Sequence, residues 1–297
     1  MGRNRLIVIT GPTGSGKTAL AISLARQLGG EIICADSRQI YRDIPIGTAA
    51  PTADELAAAP HHLTGFLDLA DYYSAARFEE DVMALLPQIW SRGHEAILCG
   101  GSMMYVDAVI NGIDQLPDIT PEIREAALRI YTDRGIEAVR QELQRLDPDY
   151  YAQVDINNHK RMVHAIEITM QAGVPYSSLR SGVRKKRDFD VIKMAIDYPR
   201  QQLFDRINRR VDAMIEAGMI DEARRVYPLR HLNSLNTVGY KELFAAFDGT
   251  MPMDIAIPRI AKNTRVYAKK QLTWLRRDDT VNWLPPTDTL EAALALL

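Results

Sequence analysis

Hydrophobic positions along the chain follow two rhythms. Residues 6–10, 31–35, 95–99 and 191–196 are short apolar runs dominated by Ile, Val, Leu and Ala. Runs of that length read as strands buried on both faces. Between the first three, apolar residues recur three and four apart over 18–28 and again over about 77–92. That is the period of a helix packed on one side. Strands alternating with helices predict an α/β fold, a parallel sheet covered by helices.

From about residue 117 the rhythm is helical only. The segments EIREAALRIYTDRG, IEAVRQELQRLD and NHKRMVHAIEITMQAG are amphipathic, and Thr120-Pro121 gives the first a start signal. Gly173-Val174-Pro175 ends the third. The expected organisation is a sheet core in two parts, 1–116 and 188–297, interrupted by an inserted all-helical subdomain over 117–187. Arg184-Lys185-Lys186-Arg187 falls in the loop that leaves the insertion, where a solvated run and an RNA-backbone contact are both open readings.

The first predicted strand runs into Gly11-Pro12-Thr13-Gly14-Ser15-Gly16-Lys17-Thr18, and a helix follows. This is G-x-x-x-x-G-K-T in the strand–loop–helix context that a P-loop requires. The glycines let the backbone turn its N–H groups inward, and the helix N-terminus adds positive potential for a polyphosphate. Lys17 supplies a point charge for the terminal phosphate and Thr18 a hydroxyl for Mg²⁺. The sheet core is therefore expected to be P-loop NTPase-like. The motif leaves the identity of the phosphorylated ligand open.

Ligands of parallel sheets sit at the carboxyl ends of the strands. Beside the P-loop, that rule selects Asp36-Ser37-Arg38-Gln39 and Gly100-Gly101-Ser102. Asp36 has three open roles: holding Mg²⁺ through water, acting as a general base, or capping the next turn. His61-His62 lacks spaced carboxylate or thiolate partners, so a structural or substrate-shaping role is favoured over metal.

In the second half, 200–218 carries an apolar stripe of Leu203, Ile207, Val211 and Met214. Arg206, Arg209 and Arg210 lie on another face, where guanidiniums suit a diphosphate as well as a solvated surface. Asn236-Thr237-Val238-Gly239-Tyr240-Lys241 reads as a turn entering a helix, open enough for a nucleic-acid backbone to approach. Residues 259–277 hold seven bases and no acids. Lys262, Arg265, Lys269 and Arg276 fall in one arc of that helix, and Ile260, Ala268, Leu272 and Leu275 in another. A run of one sign repels itself without an anionic partner, so a phosphate-binding stripe is expected. Trp274, on the flank with Tyr267, reads as a packing residue more than a base-stacking one.

Composition adds limits more than leads. With 36 Lys and Arg against 38 Asp and Glu, the net charge is −2, so any nucleic-acid site must be a local patch. Cys34 and Cys99 lie in predicted strands without a C-x-x-C or Cys/His cluster, and read as buried thiols of a reducing compartment. No signal peptide and no apolar run near membrane-spanning length is present, so a cytoplasmic protein with no membrane partner is expected.

Taken in order, GPTGSGKT, ADSRQIYRDIPIGTAAP, PHHL, GGSMMY, VGYKEL and AKKQLTWLRR resemble bacterial tRNA dimethylallyltransferases, the tRNA isopentenyltransferases. The resemblance spans roughly 6–284. It implies transfer of a dimethylallyl group from dimethylallyl diphosphate to N6 of adenosine 37 in the anticodon stem-loop of tRNA, with release of diphosphate. It implies that Gly11 to Thr18 hold that diphosphate, with Mg²⁺ at Thr18 and Arg210 as a further ligand. Lys17, Asp36, Ser102 and Arg210 become the catalytic set, with Asp36 the base for N6. The tRNA contacts implied are Asp36, Ser37, Arg38, Gln39, Ser102, Arg124, Lys160, Arg161, His164, Asn236, Thr237, Val238, Gly239, Tyr240, Lys241, Lys269 and Arg276. A monomer is expected. Two departures stand out: Ser102-Met103-Met104 where the family has Thr-Gly-Leu, and His164 where it has Arg. Other readings are a P-loop small-molecule kinase with ATP in the loop, a prenyltransferase of free adenine nucleotides, and a non-catalytic RNA-binding or nucleotide-switch protein.

Overall fold

The structure is a computed structural model that describes residues 4–297. Its strands and helices are, in chain order, β1 (Arg5–Thr10), α1 (Lys17–Leu28), β2 (Glu31–Cys34), α2 (Pro45–Thr48), α3 (Ala53–Ala58), β3 (His61–His62), α4 (Ala75–Ser91), β4 (Ala96–Gly100), α5 (Met103–Asn111), α6 (Pro121–Leu146), α7 (Pro148–Tyr151), α8 (His159–Ala172), α9 (Tyr176–Leu179), β5 (Asp190–Ile196), α10 (Arg200–Glu216), α11 (Met219–Val226), α12 (Tyr240–Phe247), α13 (Met253–Leu275), β6 (Val281–Leu284) and α14 (Thr289–Leu294). They divide into two compact units, one of residues 4–111 and 186–297, the other of 112–185.

The first unit is the α/β core. Its sheet has the order β3-β2-β4-β1-β5-β6, and every pairing is parallel. β1 sits between β4 and β5, with Thr10 opposite Gly100 and Ala195. The chain leaves β1 toward β2 on one side, and after β4 it resumes in β5 on the other. Such a divergence between neighbouring strands opens a crevice at their carboxyl ends. Ile7, Ile9, Ile97 and Met194 of the central strands are buried against Leu20, Ala21 and Leu24 of α1. A second core forms where α11, α12 and α13 pack with the 40–44 segment, around Ile40, Ile44, Leu243 and Ile260. The sixth strand, β6, lies outside the sequence-based expectation; its VNWL is short and has a buried residue only at each end.

The second unit is helical. The two segments expected as separate helices are the two halves of α6, parted at Gly135, whose backbone is non-helical (φ 75°, ψ −176°). α6 and α8 bury Val139, Leu143, Met162 and Ile166. The fully buried Asp147 accepts from Tyr150 N, Ser177 N and Ser177 Oγ, which fastens the turns around α7 and α9.

The histidine pair has a structural partner. Glu31 opens β2 with its carboxylate buried, and Arg92 donates to both oxygens at 2.8 Å. His62 Nε2 and His94 Nδ1 each lie 2.6 Å from it. One carboxylate thus ties β2, β3, the end of α4 and the entry to β4. The bonds from Arg92, reinforced by His94 and His62, hold its acid constant at about 2, down from 4.5. A depressed carboxylate stabilises the fold fully above its unfolded value and progressively less as pH falls toward its folded value. Glu31→Gln is therefore expected to lower the melting temperature at neutral pH, and its gap from wild type is expected to shrink between pH 4.5 and 2 in thermal melts. A gap that stays constant over that window contradicts the assignment.

Candidate active site

β1 ends at Thr10 and the P-loop turns at its mouth. Gly16 takes φ +85°, and a Cβ there would stand 3.2 Å from the Arg206 guanidinium, so the loop needs glycine for both its turn and its neighbour. Three side chains brace the loop, two of them from outside it. Gln271 Oε1 accepts from Thr13 N at 2.9 Å, Arg206 Nε donates to Gly14 O at 2.8 Å, and Lys17 Nζ donates to Pro12 O at 2.9 Å. The Thr13 amide is therefore committed to Gln271. The amides of Gly14, Gly16, Lys17 and Thr18 make no hydrogen bond to the described residues, and the last two open α1. Those donors are open to an anion. The Ser15 amide is bonded to Pro12 O at 3.3 Å and Pro12 offers no donor, so their backbone part in the loop is its shape.

The neighbouring strand ends lock together. A Cβ on Gly100 would meet Ala35 O at 2.0 Å, so only glycine lets β2 and β4 approach this closely. Ser102 N donates to Ala35 O at 3.1 Å, and Ser102 Oγ accepts from Ser37 N at 2.8 Å. The hydroxyl retained at position 102 is what holds Ser37. Asp36 lies between these contacts. Its Oδ1 accepts from Arg38 N at 2.9 Å and Gln39 N at 3.4 Å, so the capping role is real. Its Oδ2 has no hydrogen bond among the described residues and remains available for chemistry.

Around these elements lies a cleft of about 350 Å³. Its lining includes Thr13, Lys17, Thr18, Asp36, Ser37, Arg38, Gln39, Ser102 and Arg210. α13 supplies one wall with Ile260, Thr264, Tyr267 and Gln271, four residues on one helical face. Asn236, Thr237, Val238 and Lys241 complete it. A second cavity of about 890 Å³ lies on the other side of the P-loop. Arg206, Arg209 and Arg210 line it, with an apolar wall that includes Ile46, Ala49, Pro51 and Ala213. Lys17, Thr18, Arg210 and Met214 line both cavities.

The segment between the cavities is fixed by buried groups. Glu222, fully buried, accepts from Ile46 N at 2.8 Å and Gly47 N at 2.7 Å. Gln39 Nε2 donates to Thr48 O and Ala49 O. Lys17 and Arg210 are the electrostatic core. Burial pushes the Lys17 ammonium down to about 8, with Arg210 contributing, and burial also lowers Arg210. Among the described residues neither forms an ion pair, and the carboxylate whose charge acts on both is that of Asp36.

Several sequence-based expectations change here. Tyr240 is fully buried and donates to Glu222 at 2.5 Å, so its ring is out of reach of RNA. Gly239 is buried as well, its amide held by Glu242 at 2.7 Å. Arg276 is outside the cleft; it pairs with Asp197 and its guanidinium lies 3.9 Å over the Trp283 ring. Arg265 turns inward to Asn208, and Arg187 bonds Glu79 and Ala108 O. Of the expected stripe on α13, Lys262 and Lys269 are exposed and in no ion pair among the described residues. Tyr267, placed by sequence only on the flank of that helix, faces the cleft. Gln271 and Thr264 had no sequence signal beyond their spacing of seven on one helix. In the helical unit, Lys160 and Arg161 are exposed on α8, His164 is exposed with Nδ1 2.8 Å from Glu167, and Arg124 is half-buried on α6.

A family model described as IPP transferase matches residues 39–278. The chain belongs to that family. It is 50% identical over 286 residues to tRNA dimethylallyltransferase 2 of Parabacteroides distasonis, covering 96% of both chains. It is 49% identical to tRNA dimethylallyltransferase 1 of Phocaeicola vulgatus, covering 96% of this chain and 95% of the other. The full-length tRNA isopentenylpyrophosphate transferase of Bacillus halodurans superposes with a TM-score of 0.72 at 34% identity, over 99% of this chain and 94% of that one. A eukaryotic dimethylallyltransferase acting on tRNA superposes with a TM-score of 0.79 at 28% identity, over 96% and 74%. As an IPP transferase, the protein is a prenyl-transferring enzyme with a P-loop core.

Two measurements test this IPP transferase's cradle. Lys17 binds an anion as the ammonium, so above pH 8 binding must take up a proton. Calorimetry of pyrophosphate binding in buffers of different ionisation enthalpy is expected to show that uptake, and Lys17→Met is expected to remove it. Gln271→Leu keeps the bulk but removes the acceptor; hydrogen exchange at the Thr13 amide is expected to rise at least about tenfold, the effect of losing one hydrogen bond of ~1.4 kcal/mol. Unchanged protection contradicts the brace.

Proposed function

We infer that the protein transfers the dimethylallyl group of dimethylallyl diphosphate to N6 of adenosine 37 in tRNA and releases diphosphate. The observation that carries this reading is the pairing of two opposite features at one place. Lys17 and Arg210 are two desolvated cations in no ion pair among the described residues, next to open P-loop amides, which is a site for an anion that builds charge as it leaves. Asp36, in the same cleft, keeps one carboxylate oxygen uncommitted.

The diphosphate enters from the second cavity, on the side of Arg206, Arg209 and Arg210. Its hydrocarbon tail lies along the apolar wall of Ile46, Ala49, Pro51, Ala213 and Met214. The adenine enters the first cleft, flipped from the anticodon loop at a cost of a few kcal/mol. N6 attacks C1 of the dimethylallyl group, the C1–O bond breaks, and the electron pair leaves on the diphosphate. The N6 proton passes to Asp36. The P-loop amides, Lys17 and Arg210 stabilise the leaving group. Ser102 acts through Ser37 and sets the Asp36 turn.

Mg²⁺ fits this donor set. Among the described residues there is no cluster of three or more His, Cys, Asp or Glu that could hold an ion by itself. Mg²⁺ typically keeps its waters and takes one or two protein oxygens together with phosphate oxygens. Thr18 would hold it, and the ion would neutralise charge on the diphosphate. The tRNA-facing surface is proposed to comprise Asn236, Thr237, Val238, Lys241, Lys262 and Lys269, with Arg38 and Gln39. Lys160, Arg161 and His164 of the helical unit are proposed to contact tRNA as well.

Asp36→Asn keeps the Oδ1 acceptor and loses the base. Single-turnover transfer is expected to slow by about 100-fold or more, while the tRNA dissociation constant stays within about twofold. Wild-type turnover by this variant would remove Asp36 as the base.

A further inference from the structure

Tyr267 differs from the other aromatic residues of the core unit. Tyr105 stacks on Phe78, Tyr73 meets Phe66 and bonds Asp81, Tyr240 is sealed on Glu222, and Tyr198 carries Arg206 on its face. Tyr267 is 41% exposed. Among the described residues its ring meets no other ring and no cation, and its hydroxyl makes no hydrogen bond. It is also the one aromatic residue lining the cleft. The charges that act on its hydroxyl are Asp36 and Arg38, so the ring stands in the electrostatic neighbourhood of the proposed base.

The surroundings divide the cleft into an edge-reading part and a face-reading part. Asp36, Ser37 and Ser102 offer polar atoms, suited to the hydrogen-bonding edge of a base. Tyr267 offers a flat apolar surface. An extruded purine has both an edge and a face, and proteins that take bases from RNA loops stack them on aromatic rings.

We propose that Tyr267 is the stacking platform for the reactive adenine, gripping the face of the base while Asp36 addresses N6. The inference rests on the function proposed above and adds the contact that holds the flipped base. Stacking needs the ring and not the hydroxyl. Tyr267→Phe therefore keeps the contact, and Tyr267→Ala loses it.

The test uses the full-length protein and an anticodon stem-loop RNA with 2-aminopurine at position 37. This base lacks the reactive 6-amino group, fluoresces when unstacked and is quenched when stacked. Wild type and Tyr267→Phe are expected to bind with the base quenched. Tyr267→Ala is expected to give a bright complex and roughly ten- to hundredfold weaker binding. A bright wild-type complex, an equally quenched Tyr267→Ala complex, or a bright Tyr267→Phe complex overturns the platform. The same stem-loop with adenosine at position 37 is assayed alongside for dimethylallyl transfer by wild type. Transfer without quenching overturns the platform alone. Absence of transfer overturns the proposed function and the platform with it.

Discussion

A loop that turns its amides toward a ligand must have its other polar groups satisfied elsewhere, and here they are satisfied by the far half of the chain. Gln271 of α13 takes the Thr13 amide, and its Nε2 donates to Gly101 O at 2.8 Å. Arg206 of α10 takes the Gly14 carbonyl. The P-loop is thus cross-braced to β4 and to two helices more than 190 residues later. Gln271 is only 2% exposed, and either end left unpaired would strand a buried polar group. That constraint explains why a 74-residue helical unit over 112–185 can interrupt the core without removing any brace of the cradle.

The same braces divide labour among cations that look alike in sequence. Arg206 is occupied with Gly14 O and rests 4.7 Å over the Tyr198 ring. Arg209 is exposed and bonds its own helix. Arg210 alone of the three lines both cavities, half-buried and in no ion pair among the described residues. Two desolvated cations, Lys17 and Arg210, side by side oppose folding unless something repays the cost. An anionic ligand does so, which makes the pair a statement about function more than about stability.

Sequence periodicity was enough for the architecture. β1, β2, β4 and β5 are apolar runs buried on both faces, and the P-loop lies where its motif places it. β6 escaped because VNWL is four residues long and carries Asn at an exposed and Trp at a half-buried position. The floor of the cleft was legible because Lys17, Thr18, Asp36 and Ser102 sit at strand ends. The wall was not. A glutamine inside a basic run gives no sign that it will be buried, and Tyr267 lies one position from the exposed Val266 on the same helix. Tyr240 misled for the opposite reason: a polar turn with glycine suggests exposure, whereas Glu222 draws the phenol inward.

The account turns on the cradle holding a leaving diphosphate and not a phosphoryl donor. Incubation with dimethylallyl diphosphate labelled at C1, unmodified tRNA and ATP separates the two, with nucleoside analysis of the digested RNA. The account predicts one labelled nucleoside, N6-dimethylallyl adenosine from position 37, with ATP intact. Label in free adenine nucleotides with none in tRNA, or phosphate moved from ATP to an acceptor, would contradict it.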